Sequence, residues 1–195
     1  MLRAGKIALR ARVEADVAIL HTELYEDVAI RSQADSRPWR PVSPGAAASP
    51  YAVGEPSDDA AVFSVVELAG NELAGDALLW GIDLHNRSAH LGLGLRPAFR
   101  GRGLGTDVVR GLTEYGFSVR GLHRLQIETL ATNTAMIQAA ERGGFTLEGT
   151  LRQAAWVTGE FLDEVILGLL AADCVSRADS GPASQQCVRR RVTST

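Results

Sequence analysis

Apolar residues alternate with polar ones over some stretches of this chain and recur at helical spacing over others. Residues 6–13 alternate, which predicts a first strand. Over 14–31, Val17, Leu20, Leu24 and Val28 return every three or four positions, which predicts a helix. Residues 60–68 and 73–84 read as two strands joined by a turn at Gly70-Asn71. A turn at 86–88 leads into a strand over 88–95, so the middle of the chain predicts an antiparallel meander. Residues 103–119 carry Leu104, Val108, Leu112 and Tyr115 on one helical stripe. A short strand over 125–130 and a short helix over 134–142 follow, the helix ending at Gly143-Gly144. Residues 145–157 and 161–170 predict closing strands around Thr158-Gly159. The sequence of elements predicts an α+β (mixed α/β) domain over 1–171, with a central sheet flanked by helices.

Two segments break this pattern. Residues 37–59 hold Pro38, Pro41, Pro44, Pro50 and Pro56, which forbid regular structure over much of the stretch. A loop of this length in a compact domain is functional or disordered. It reads as a wall or lid of a substrate site, with Trp39 and Tyr51 either contacting substrate or anchoring the loop. Residues 172–195 are polar and predict a disordered tail.

Composition narrows the function. The chain has 195 residues and a net charge of −3. Its tail carries Arg177, Arg189, Arg190 and Arg191 against Asp173 and Asp179, so the body is more acidic than the whole. An acidic body lacks the basic footprint that nucleic-acid binding needs. The cluster 189–191 reads as a solvated end. Cys174 and Cys187 both lie in the tail, outside any metal-ligand spacing, which fits a reducing compartment and no metal. The N-terminus has scattered charges and no signal-peptide core. With no apolar run of bilayer-spanning length, the expectation is a cytoplasmic protein without membrane contact.

The chemistry concentrates in residues 91–106. An apolar strand stops at Arg96-Pro97, Arg100-Gly-Arg-Gly-Leu-Gly105 follows, and a helical pattern starts at once. That order sets a row of unpaired backbone N–H groups at the positive end of a helix, a site for phosphate or pyrophosphate. A Walker loop would need a lysine where Gly105-Thr106 has none. A dinucleotide fingerprint would need Gly-x-Gly-x-x-Gly, whereas Gly101, Gly103 and Gly105 are spaced by two.

Arg100-x-x-Gly103-x-Gly105 is followed by Asn133-Thr-Ala-Met-Ile-Gln-Ala-Ala-Glu-Arg-Gly-Gly-Phe145, then Glu148-Gly-Thr-Leu-Arg-Gln and a terminal hairpin. Together these resemble the GNAT acetyltransferase superfamily, and within it the branch similar to the ribosomal-protein N-acetyltransferases. The resemblance covers residues 6–171 and is weakest over 37–59. It implies a largely antiparallel sheet with a splayed strand pair, acetyl-CoA as co-substrate, and a primary amine as acceptor, either a protein N-terminus or a small-molecule or antibiotic amine.

The resemblance also implies roles. The diphosphate would lie on the main chain of Arg100, Gly101, Arg102, Gly103, Leu104, Gly105 and Thr106, with Arg100 and Arg102 adding charge. The main-chain groups of Leu93 and Leu95 would pair with the pantetheine arm, and Gly92 and Gly94 suit a bulged or distorted strand. Asn133 matches the family asparagine near the pantetheine, and also suits a helix N-cap. Arg142 matches a basic position near the adenosine phosphate, or is a solvated face. Where relatives carry an acidic residue, Ala89-His90-Leu91-Gly92 offers His90 as general base or as a structural histidine. Where relatives have a proton-donating serine, this chain has Met136, and their later glutamate falls near Ala155. Proton transfer then falls to water or to an acid such as Glu67, Asp76 or Asp83. Two other readings stay open: a non-catalytic acyl-CoA-binding protein on the same scaffold, and an unrelated phosphate-binding enzyme. The closing strands suit a homodimer.

Overall fold

The structure, a computed structural model, describes residues 1–34 and 37–178. Its elements are β1 (Leu2–Ala4), β2 (Ile7–Ala11), α1 (Glu14–Leu24), α2 (Val28–Ala34), β3 (Ala60–Glu67), β4 (Glu72–Asp83) and β5 (Ser88–Leu95). A 3-10 turn (Pro97–Phe99) leads to α3 (Leu104–Glu114), which a π-helical turn (Tyr115–Val119) continues. Then come β6 (Arg124–Leu130), α4 (Thr134–Gly143), β7 (Thr146–Val157), β8 (Glu160–Leu170) and α5 (Ala171–Ala178). The strands form one sheet in the order β1-β2-β3-β4-β5-β6-β8-β7. Every neighbouring pair is antiparallel except β5 and β6.

The pleat sends alternate residues to opposite faces. Ala77, Leu79, Ala89, Leu91, Leu125, Ile127, Leu167 and Leu169 meet the stripe of α3 (Leu104, Val108, Leu112) in the main core. The other face carries Asp76, Leu78, Trp80, His90, Gly92, Gly94 and Glu128, and shares a cavity with Leu24 of α1 and Ile30 and Arg31 of α2. The two faces of the sheet are thus one dry core and one chemically varied cleft.

The helix expected over 14–31 is two helices. Asp27 Oδ1 accepts the backbone N–H groups of Ala29 (2.9 Å) and Ile30 (3.0 Å), capping α2 and ending the first run. The entry to α1 is fixed by Asp16, whose carboxylate accepts from Arg10 (2.6 and 2.8 Å), from Ser64 Oγ (2.7 Å) and from the Val13 N–H (3.1 Å). Burial alone would raise the Asp16 pKa, but those bonds outweigh it and bring it down to about 2.

The proline-rich stretch contains no helix or strand over 37–59, as expected. It is nonetheless packed. Trp39 Nε1 donates to the Tyr25 carbonyl (2.9 Å) and Tyr25 Oη donates to the Arg40 carbonyl (3.0 Å). Tyr51 is buried with Val17, Leu20, Leu24 and Tyr25 in a second small core.

The tail expected to be disordered from 172 instead begins with a helix. Cys174 of α5 is buried in the main core, and Asp173 Oδ2 accepts the Leu170 N–H (3.3 Å). Polar composition hid the apolar contacts of Ala171 and Cys174 with the main core. Cys187, Arg189, Arg190, Arg191 and the rest of 179–195 lie outside the described residues.

Candidate active site where two strands part

Strands β5 and β6 pair at Ser88↔Arg124, Ala89↔Leu125 and His90↔Gln126, and then separate. Past that point β5 stays on β4 as far as Gly75↔Leu95, while β6 stays on β8 as far as Leu130↔Glu164. Residues 91–95 therefore have a strand on one side only. The Arg96 N–H donates to the Ala74 carbonyl across β4 (2.9 Å). Alternation along an antiparallel ladder then turns the main-chain groups of Gly94 and Gly92 toward β4, and those of Leu91, Leu93 and Leu95 into the gap. The Leu95 carbonyl on that side accepts from Arg100 Nε (2.8 Å).

A cavity of about 500 Å³ fills this gap. Its floor is a strip without side chains. A Cβ on Gly94 would come within 2.6 Å of Asp76 Oδ1, and one on Gly92 within 3.1 Å of Leu78 Cδ2. The register between β4 and β5 is unbroken over these glycines. The bulge expected there is absent, and the strand's distortion is its departure from β6.

Beyond Leu95 the chain turns through Gly101 (φ 71°) and Gly103 (φ 81°), both left-handed and open to a Cβ only at a backbone cost. Helix α3 starts at Leu104, so the N–H groups of its first turn have no partner within the helix. Leu104 is buried in the core and offers the loop only its main chain. Gly105 packs close to α4, where a Cβ would lie 3.6 Å from that of Ala139. Thr106 is buried beside it in the same first turn. Arg100 lines the cavity. Arg102 does not turn toward it: Nη2 pairs with Glu67 Oε1 (2.7 Å) and the guanidinium lies over Phe99. One ion pair thus accounts for both Arg102 and the buried Glu67.

The two other cofactor candidates sit apart from this turn. Asn133 caps α4, with Oδ1 accepting the Met136 N–H (3.2 Å) and Nδ2 donating to Thr129 Oγ1 (3.0 Å). Thr129 lines the cavity, so the cap touches its wall. Helices α3 and α4 run the same way, Gly105 beside Ala139 and Val109 beside Gly143. The exposed Arg142 therefore sits level with Val108, and its carbonyl accepts from Arg110 Nη2 (3.2 Å). That is about three residues past Gly105, roughly 4.5 Å along the axis.

His90 faces the cavity. Its ring stacks on Trp80 (centroids 4.2 Å apart, 19° between planes), and Nδ1 lies 3.6 Å from Glu128 Oε1. Asp76 shares the cavity. Burial pushes its carboxyl up to about 6, against the opposing pull of Arg12 and Arg31. The buried Arg12 lies 3.6 Å away through Nη2, also donates to the Pro50 carbonyl, and is itself shifted down by burial. Tyr51 lines the cavity while Trp39 does not, which divides the two expected roles: Tyr51 is wall, Trp39 is anchor. Asp83 is remote, hydrogen-bonded to Asn86 in an exposed turn. Met136 packs on the main core, and Ala155 is buried with Leu130 and Val157.

Sequence reasoning missed Glu128 and Glu164, which also line the cavity. Glu128 is the exposed residue of an otherwise half-buried strand. Only the short parallel register beside His90 brings it to the site. Among the described residues, no His, Cys, Asp and Glu are grouped so as to hold a metal ion, and no helix is long and apolar enough to cross a membrane.

Comparison with known proteins agrees with this geometry. Residues 6–146 match the family model described as "Acetyltransferase (GNAT) domain". The chain is 30% identical over 87 residues to "Probable N-acetyltransferase YjcK" of Bacillus subtilis (strain 168), covering 45% of this chain and 48% of that protein. It is 33% identical over 103 residues to YdaF of the same strain, provisionally named a ribosomal N-acetyltransferase, covering 53% and 56%. The chain thus spans about half the length of these two relatives. Its fold superposes with a TM-score of 0.71 on the crystal structure of spermidine N-acetyltransferase from Vibrio cholerae in complex with CoA and spermine, at 20% identity, over 86% of this chain and 97% of that one. The match over residues 6–146, with which the parted strands and the glycine turn at the head of α3 agree, makes this chain a member of the GNAT acetyltransferase family.

Proposed function

We propose that this protein moves the acetyl group of acetyl-CoA to a primary amine of a small cationic molecule by direct attack, with both substrates bound in the cleft between β5 and β6. The observation that carries the reading is the one-sided stretch of β5 over residues 91–95, which runs straight into the glycine turn. A pantetheine arm can pair with the main chain of Leu93 and with the Leu95 N–H. The diphosphate then meets the donors of residues 100–106 and the Arg100 guanidinium. Arg102, engaged with Glu67, contributes to the shape of the turn rather than to the charge on the ligand.

The acceptor enters from the face that carries Asp76, Glu128 and Glu164, three carboxylates suited to a cation. His90 Nε2 takes the proton from the amine. The amine nitrogen forms a bond to the thioester carbon, the C–S bond breaks, and the electron pair leaves on sulfur. With Met136 in place of a donor, water returns a proton to that thiolate. A main-chain N–H aimed at the thioester oxygen is worth ~3 kcal/mol at the transition state. Holding amine and thioester together supplies a further large part of the rate.

The test is release of free thiol from acetyl-CoA with spermidine, aminoglycoside and N-terminal peptide acceptors. Thiol release with a small cationic amine above the peptide supports the reading. Preference for the peptide replaces the acceptor class. Coenzyme A binding without thiol release from any amine favours the non-catalytic scaffold, and absence of coenzyme A binding overturns both.

A further inference from the structure

A line of polar side chains crosses the cleft face of β6 and ends at His90. At its outer end Glu148 of β7 grips Arg124 through both carboxylate oxygens, with Nη1 to Oε1 at 2.8 Å. Gly168 of β8 has no side chain there, and a Cβ would collide with the Glu148 carboxylate. Arg124 Nη2 donates to Gln126 Oε1 (3.0 Å), and Gln126 Nε2 donates to Glu128 Oε1 (2.7 Å). Positions 124, 126 and 128 share a face because they alternate along one strand. His90 stands level with Gln126 in the parallel register, which sets its ring beside Glu128. Its Nδ1 is shielded from solvent and has no hydrogen-bond partner among the described residues.

We propose that Glu128 is the positioning residue for His90, and that the chain Glu148–Arg124–Gln126 holds Glu128 in place for it. This rests on the reading of His90 as the base. The 3.6 Å separation needs to close by less than about 1 Å to become a hydrogen bond. A carboxylate on Nδ1 selects the tautomer that carries its proton there, leaving Nε2 as the acceptor facing the cleft. It also stabilises the imidazolium that forms when the amine gives up its proton. The Trp80 ring restricts the imidazole to the plane in which Glu128 can reach it. The other charged groups around this cavity are Asp76 of β4, Arg31 of α2, Arg37, Arg100 and Glu164 of β8.

The measurement is the His90 ring tautomer, read from its nitrogen chemical shifts by NMR in the full chain, the signals assigned by their loss in His90→Asn. Glu128→Gln moves the ring away from the form with its proton on Nδ1, and Gln126→Leu does so less. In the acetylation assay the rate of Glu128→Gln falls about tenfold or more while KM for acetyl-CoA holds. Glu128→Asp restores part of both effects. An unchanged His90 tautomer in Glu128→Gln overturns the proposal whether or not an acceptor has been found. So does a rate loss that comes with a matching rise in KM for acetyl-CoA. Failure of the base assignment looks different: the tautomer changes, yet His90→Asn acetylates as well as the wild type.

Discussion

Replacing Asp76 by Asn tests the electrostatics of the cleft directly. The Asp76 carboxyl is raised to about 6 because it is buried, and Arg12 at 3.6 Å and Arg31 recover only part of that cost. In an unfolded chain the same group titrates near ~3.9. Between these two values the unfolded chain has released the proton and the folded chain has kept it. The folded state therefore binds more protons, and stability falls as pH rises through this window. Two units correspond to about 3 kcal/mol, of which about 2 kcal/mol is lost between about pH 4 and pH 7. Asparagine cannot ionise, so the variant escapes that loss. Urea unfolding followed by circular dichroism at a series of pH values measures both proteins. The expected outcome is that the variant gains about 2 kcal/mol on the wild type from about pH 4 to pH 7 and nothing further above that. A difference that stays constant with pH would show that the ion pair with Arg12 balances burial, and one that moves the other way that it outweighs burial; either would refute the reasoning. The same protonation removes a negative charge from the acceptor face, so KM for a cationic amine rises as pH drops below about 6.

Arg102→Ala separates a structural arginine from a ligand-binding one: it leaves Glu67 buried without its cation and costs about 1–3 kcal/mol in urea unfolding, while coenzyme A affinity by calorimetry changes little. A large affinity loss at unchanged stability would contradict the pairing. Asn133→Ala removes the cap of α4 and lowers stability by about 1 kcal/mol, and because Thr129 loses its partner at the cavity wall, coenzyme A binding weakens modestly with it. Unchanged stability in that variant would mean the asparagine serves the ligand instead of the helix.

Much of this molecule was written in local patterns. The strand over Ser88–Leu95 and the glycine turn follow from alternation and from the residues that break it. Helix α3 ends earlier than its stripe suggested, because the last residues wind into a π turn whose spacing still keeps Tyr115 on the core side. Helix α1 was overrun for a similar reason. Apolar spacing continues through Val28, and only the Asp27 bonds to Ala29 and Ile30 end one helix and begin the next. Strand β1 escaped notice because three residues carry no period.

The candidate site divides along the same line. What the sequence determined by itself is whatever depends on neighbours in the chain: a glycine turn at φ values other residues avoid, a helix start with unpaired donors, and the motif spacing of a GNAT chain. Tertiary structure alone decided where charges meet across strands. It sent Arg102 to Glu67, set Asp76 between Arg12 and the cleft, and brought Glu128 to His90. These contacts hang on register and on the point where β5 leaves β6, and register is fixed by packing over the whole sheet, which no local window of residues contains.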